Sequence, residues 1–206
     1  MLRLIVGLLK PDSGTIEVFG NRLTRKKQEL WEVRKKIGFL FQNPDNQLFA
    51  PTIQEDVGFG ARNLGCSDIE VKKRVKWALN AVNLLEYATS SPFNLSWGQK
   101  KRAALAGLLV MKPKLLILDE PFANLDLNSV YNHLEMLERL RKEQNLTILF
   151  TTHYLFYVRN WADKMFVIHK GKKIFEGNPN IGLDQPKVKQ IIGTLGKIRA
   201  LLQKDK

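Results

Sequence analysis

The sequence predicts an α/β fold, a mainly parallel sheet with a helical segment inserted into it. Three observations carry that reading. Three short β-prone runs, Ile37–Phe41, Leu115–Leu118 and Leu146–Phe150, are continuously apolar, as strands buried on both faces are. The second and third are separated by an amphipathic stretch, roughly Asn128 to Glu143, with Val130, Leu134, Leu137 and Leu140 on one stripe. Strand, helix and strand within about thirty residues make a right-handed βαβ unit. The stretch from Pro44 to Met111, in contrast, reads as mainly helical and separate.

Each apolar run ends in groups able to do chemistry. The first leads into Gln42, the second into Asp119 and Glu120, and the third into Thr151, Thr152 and His153. Ligands of parallel sheets bind beyond the carboxyl ends of the strands, and all three runs place their reactive groups there. In the helical stretch, Ser67 and Glu70 form a capping box opening a helix with Val71, Val75, Ala78, Leu79 and Val82 on one stripe. Lys72, Lys73, Arg74 and Lys76 form its solvated face. Ser96 and Gln99 frame a second box ahead of the apolar run Ala103–Met111. The amides and dipole of such a helix start attract phosphate. Lys164 to Gly177 reads as a hairpin turning at Lys170-Gly171, and the tail from Pro186 as a lysine-rich amphipathic helix with Ile191, Ile192, Leu195 and Ile198.

Composition sets the outer limits. A chain of 206 residues is long enough for one domain with a real core. Its formal charge of +13 favours acidic partners without choosing among nucleotides, lipid headgroups and nucleic acid, and it also fits a lysine-coated surface. With Cys66 as the only cysteine, no internal disulfide can form, which suits a reducing compartment. No apolar run nears the ~18 residues of a membrane-spanning helix, so work at a membrane requires a docking partner.

Taken singly, the motifs stay ambiguous. Asp119 and Glu120 suit an acid that holds Mg²⁺ through water and one that orients an attacking water, but also two surface acids after a buried strand. The Ser96 box also suits an ordinary capped helix. Their order is more specific. Gln42, then Leu95-Ser-Trp-Gly-Gln99, then Leu115-Leu-Ile-Leu-Asp-Glu-Pro121, then Asn124-Leu-Asp126, then Thr151-Thr-His153 resembles the ABC ATPase family across nearly the whole chain.

That resemblance implies a P-loop NTPase-like sheet and one nucleotide-binding domain over 1–206, with a core from 1–43 and 112–206 and a helical subdomain at 44–111. It implies ATP and Mg²⁺ as cofactors, Glu120 as catalytic carboxylate and His153 as the switch that senses the γ-phosphate. Gln42, Ser96, Gly98, Gln99, Asp119 and Asp126 are the implied nucleotide-binding residues. Gln42 and Asp119 are the implied metal ligands, partly through water. The implied partners are a second ABC ATPase subunit, the same or different, and a transmembrane coupling subunit met near Glu55 and Asp56. The implied location is the cytoplasmic face of a membrane, and no nucleic acid is expected. Gln42-Asn-Pro-Asp-Asn-Gln-Leu-Phe49 and Glu55-Asp-Val-Gly-Phe-Gly60 are similar to the cobalt, nickel and vitamin importers of the energy-coupling-factor group.

The sequence departs from the family in two places. Trp97 stands where the signature usually has its first glycine, a change read as tolerated. No G-x-x-x-x-G-K-[ST] occurs in the 206 residues, and Met1–Leu9 resembles the helix that follows that loop in the family. The expectations drawn from this are low ATPase activity of the chain alone, an uncapped first helix, and an open edge in the sheet. Two other readings stand beside the importer ATPase: a non-catalytic subunit lending its signature to an intact partner, and a nucleic-acid-associated ABC ATPase.

Overall fold

The computed structural model of the chain describes residues 1–24 and 26–191. It divides into two compact units, Met1–Thr151 and Thr152–Lys206. The first unit opens with α1 (Leu2–Ile5), a small antiparallel ribbon of β1 (Glu17–Val18) and β2 (Asn21–Arg22), α2 (Lys27–Arg34) and β3 (Ile37–Leu40). The helical stretch supplies α3 (Ile53–Asn63), α4 (Asp68–Ala81) and α5 (Trp97–Leu109). It is followed by β4 (Leu115–Asp119), α6 (Leu127–Gln144) and β5 (Thr147–Thr151).

The helix expected over Met1–Leu9 stops at Ile5. Gly7 turns the chain at φ +66°, a conformation that favours glycine, and a Cβ there would lie 2.5 Å from Leu30 Cδ2. Arg34 donates from Nε to the carbonyl of Val6 (3.1 Å) and from Nη2 to that of Gly7 (3.0 Å). The exposed carbonyls of this helix end thereby gain partners. As expected, no side chain caps the other end.

The three long-range strands form one parallel sheet in the order β3-β4-β5. Its register pairs Leu40 with Leu118 and Asp119 with Thr151. Leu116, Ile117 and Leu118 of the central strand are wholly buried, each worth about 1.5–3 kcal/mol in removed apolar surface. Side chains alternate between the faces. Ile37, Phe39, Leu115, Ile117 and Leu149 join Leu2, Val6, Val18 and Val33 in one core. On the opposite face, Gly38 and Leu116 meet Leu108 of α5. A Cβ on Gly38 would lie 2.7 Å from Leu116 Cδ2 and 3.0 Å from Leu108 Cβ, so the helix comes this close only over a glycine. Among the described residues β5 is paired on one side only, and Ile148, Leu149 and Phe150 are half-buried.

The second unit contains α7 (Leu155–Trp161), a hairpin of β6 (Met165–His169) and β7 (Lys172–Gly177), and α8 (Pro179–Asp184). The hairpin turns at Lys170 (φ +48°) and Gly171 (φ +74°), where the sequence placed it. Its core is Met165, Leu183 and Val188, flanked by Leu155, Val158, Val167 and Phe175. Ile192, Leu195 and Ile198 of the expected tail helix lie outside the described residues.

The close approach at Gly38 gives a stability prediction. Gly38→Val forces Leu108 and Leu116 apart and should cost about 1–3 kcal/mol, read as a lower urea midpoint with an unchanged m-value.

Candidate active site

Asp119 is the last residue of β4, and Glu120 leaves the strand in a left-handed conformation (φ +48°) at 8% exposure. A non-glycine residue held there costs about 1–3 kcal/mol, so its surroundings must fix it. Thr151, beside Asp119 at the end of β5, helps to do so. Its Oγ1 donates to Asp119 Oδ1 (2.7 Å) and accepts from the Glu120 N–H (3.1 Å). One hydroxyl thus orients a carboxylate and the backbone of its neighbour. Gln42 is exposed two residues past β3, whose register carries it beyond the same end of the sheet. His153 is exposed and belongs to the second unit.

The sequence reading gave Lys101 no role, yet it is fully buried. Its Nζ donates to the backbone carbonyls of Glu120 (3.0 Å), Pro121 (3.0 Å) and Ala123 (2.9 Å). Burial lowers the ammonium to about 8, opposed by the charge of Glu120. The available signal was helical spacing. Lys101, Leu105 and Leu108 fall at i, i+4 and i+7 of α5, which puts the lysine on the apolar stripe. Its neighbour Lys100 pairs with Asp45 Oδ1 at 2.7 Å, on the loop after β3.

Phe122 anchors the loop from its other side, edge-on to Phe150 of β5 (6.1 Å) and to His133 of α6 (6.2 Å). The stripe read from the sequence needs adjusting here. Leu134 is only half-buried, while His133 and Met136 face the core. His133 is held down to about 3, first by burial and then by the charges of Lys101 and Arg102.

The signature segment folds as its residues demand. Ser96 accepts from the Gln99 N–H (3.3 Å), and Gln99 Oε1 accepts from the Ser96 N–H (2.8 Å), completing the expected box. The Gln99 amide is therefore occupied, and the N–H groups of Trp97 and Gly98 are the ones that α5 can present to a ligand. Gly98 abuts Leu125, whose Cδ2 would lie 3.4 Å from a Cβ. Asp126 caps α6, accepting from Ser129 N–H (2.9 Å) and Oγ (2.5 Å), and these bonds hold its carboxyl below the usual range.

Of the two acids where the resemblance puts the membrane partner, Glu55 is exposed and Asp56 is not. Asp56 is buried, its Oδ2 accepting from the N–H groups of Phe49 (2.7 Å) and Ala50 (2.8 Å). Glu55 closes a capping box with Thr52 at the start of α3. What opens to the surface nearby is a cavity of about 230 Å³ lined by Leu48, Phe49, Pro92 and Phe93, with Asp45 and Lys100 supplying its charges. Phe49 is 65% and Phe93 86% exposed, the opposite of what their apolar character favours.

Two outcomes follow for this site. His133 is excluded from protonation when folded, whereas the unfolded chain takes up the proton below about 6.5. Its stabilising effect is complete above 6.5 and declines as pH falls toward 3. Between pH 7 and pH 5 the wild type should lose more of its urea midpoint than His133→Leu does. Asp56→Ala should cost about 1.5–3 kcal/mol and speed amide exchange at Phe49 and Ala50, because two N–H groups lose a charged acceptor.

Comparison with known proteins identifies the fold and the family. The ABC transporter family model matches residues 1–123. The energy-coupling factor transporter ATP-binding protein EcfA2 of Clostridium tetani is 41% identical over 208 residues, covering 95% of this chain and 72% of that protein. The EcfA protein of Methanocaldococcus jannaschii is 45% identical over 173 residues, covering 84% of this chain, and the chain spans only 62% of its length. Among solved structures, CbiO1 from Clostridium perfringens, part of the ABC transporter complex CbiONQ, superposes with a TM-score of 0.81. It is 36% identical, over 98% of this chain and 81% of that one. The ATP-binding cassette MJ0796, a dimer in a post-hydrolysis state with ADP and Pi, gives a TM-score of 0.77 at 27% identity, over 86% of this chain and 78% of that one. These likenesses run through the sheet and the helical stretch alike, and the chain belongs to the ABC transporter ATPase family.

Proposed function

We propose that this chain is the ATP-hydrolysing subunit of an importer of the energy-coupling-factor type, acting as one of a pair beneath a transmembrane partner. The observation that carries the proposal is the Thr151 hydroxyl, which orients Asp119 and the backbone of Glu120 together at the carboxyl end of the sheet. Such an arrangement suits phosphoryl transfer, where positioning and electrostatics supply most of the catalysis.

In this reading Glu120 orients the attacking water and accepts its proton, and His153 senses the γ-phosphate. Asp119 and Gln42 offer hard oxygen donors beyond adjacent strands, a set that fits Mg²⁺. When bound, the metal neutralises charge on the phosphates. Thr151 leaves Asp119 Oδ2 without a protein partner among the described residues, so that oxygen can receive a metal-bound water. In the same reading Ser96, Gly98 and Gln99 reach the nucleotide of a second subunit, and pairing itself is in keeping with MJ0796 having been seen as a dimer. Asp126 holds the start of α6 near that interface. The 206 residues contain no G-x-x-x-x-G-K-[ST].

The transmembrane partner docks with an apolar segment at the cavity by Phe49 and Phe93. Among the described residues no helix is long and apolar enough to cross a membrane. In this reading the chain attaches peripherally, through its partner, at the cytoplasmic face. The cargo is a cobalt or nickel ion or a vitamin, the class that the motif resemblance indicates.

The test is Glu120→Gln in the protein assembled with its partners. Turnover should fall at least a hundredfold, the usual scale for losing a general base, with ATP affinity within threefold of wild type. Turnover that ignores the substitution would instead make this the non-catalytic member of its pair.

A further inference from the structure

We propose that Lys101 is a positioning residue of the hydrolytic site, fastening the loop that carries Glu120 to α5. The inference rests on the reading of Glu120 as the hydrolytic carboxylate. A lysine with only a packing role would send its ammonium to solvent or to a single acid. This one directs three donors at three carbonyls of one turn, at 2.9–3.0 Å, in a wholly buried position.

The loop needs such an anchor. Glu120 and Asn124 both have positive φ (+48° and +62°), which turns the carbonyls of Glu120, Pro121 and Ala123 inward. Without the ammonium the carbonyls of Pro121 and Ala123 would lose this charged donor and that of Glu120 would keep the Ala123 N–H (3.2 Å), so the turn that aims Glu120 would lose its tether to α5. Phe122, wedged against His133 and Phe150, fixes the loop to the sheet and α6, whereas Lys101 fixes it to α5.

Lys101 lies five residues beyond Ser96, about 7.5 Å along the helix axis. Between them Lys100 ties the same helix to Asp45 after β3, and Gly98 abuts Leu125. The first two turns of α5 therefore touch the loops following two adjacent strands. The charge of Glu120 on the loop attracts the Lys101 ammonium, and His133 on α6 feels the charges of both Lys101 and Arg102.

The test uses the full-length protein in its complex, with Lys101→Met, which keeps the length of the side chain and removes its charge and donors. Hydrogen–deuterium exchange across residues 119–126 should speed at least tenfold, the Ala123 amide included, while Leu115–Leu118 and α6 stay within twofold. The kcat for ATP should fall at least tenfold with KM within threefold, and Lys101→Arg should recover part of both. Lys100→Met should leave exchange across 119–126 as in the wild type. Unchanged exchange and kcat in Lys101→Met would overturn the proposal, as would a loss of protection spread across the whole unit. If Lys101→Met does not fold, Lys101→Gln, uncharged but still a donor, is judged by the same two measurements. A wild type whose turnover ignores Glu120→Gln would overturn the functional reading, and exchange alone would then decide whether the loop is clamped.

Discussion

β4 hydrogen-bonds to β3 along one edge and to β5 along the other, and Leu116, Ile117 and Leu118 have no exposure to water. A strand surrounded in this way has one register, because a slip by one residue would exchange the side chains of its two faces. That register determines where the strand ends. Asp119 stands beside Thr151, Glu120 follows it out of the sheet, and Gln42 emerges from β3 at the same end. The chemistry of the chain thus depends on hydrophobic burial several residues away from any reacting atom.

Beyond the strand ends, regular hydrogen bonding stops and side chains take its place. The Glu120 amide goes to Thr151, and the carbonyls of Glu120, Pro121 and Ala123 go to Lys101. Ser96 and Asp126 cap the helices on either side of this loop. These backbone groups of the loop, freed by its irregular conformation, are paired again by specific side chains, as buried polar groups require. The acids near Phe49 obey the same rule. Asp56 appeared available for a partner in sequence, but the amides of Phe49 and Ala50 claim it.

The elements that could be read from sequence are those governed by local periodicity or by a short motif. The three strands, the α6 stripe, the Ser96–Gln99 box and the Lys170-Gly171 turn belong to this class. What could not be read depended on competition between partners. Ser67 and Glu70 suggested a reciprocal box, but Arg74 one turn further along takes the Glu70 carboxylate at 2.6 Å. Only the Ser67 half remains, accepting from Glu70 N–H at 3.4 Å. Lys101 was hidden by its charge, since lysine is buried only where unusual acceptors converge, and those acceptors lie about twenty residues further along the chain. His133 was hidden by chemistry, since a histidine interrupts an apolar stripe by residue type while completing it by shape.

The parallel register also bears on how the chain acquires its fold. Ile37 pairs with Leu115, 78 positions away, whereas Leu115 pairs with Thr147, only 32 positions away. Closing the longer loop as a flexible chain costs about 0.8 kcal/mol more by the logarithmic scaling of loop entropy. The intervening residues reduce that cost if α3, α4 and α5 collapse first, because a compact helical body shortens the span to be closed. On a ribosome, β3 is synthesised well before its partner and must wait for some eighty further residues, at about 5–20 per second. A helical insert that packed first would shelter an apolar strand until β4 emerges.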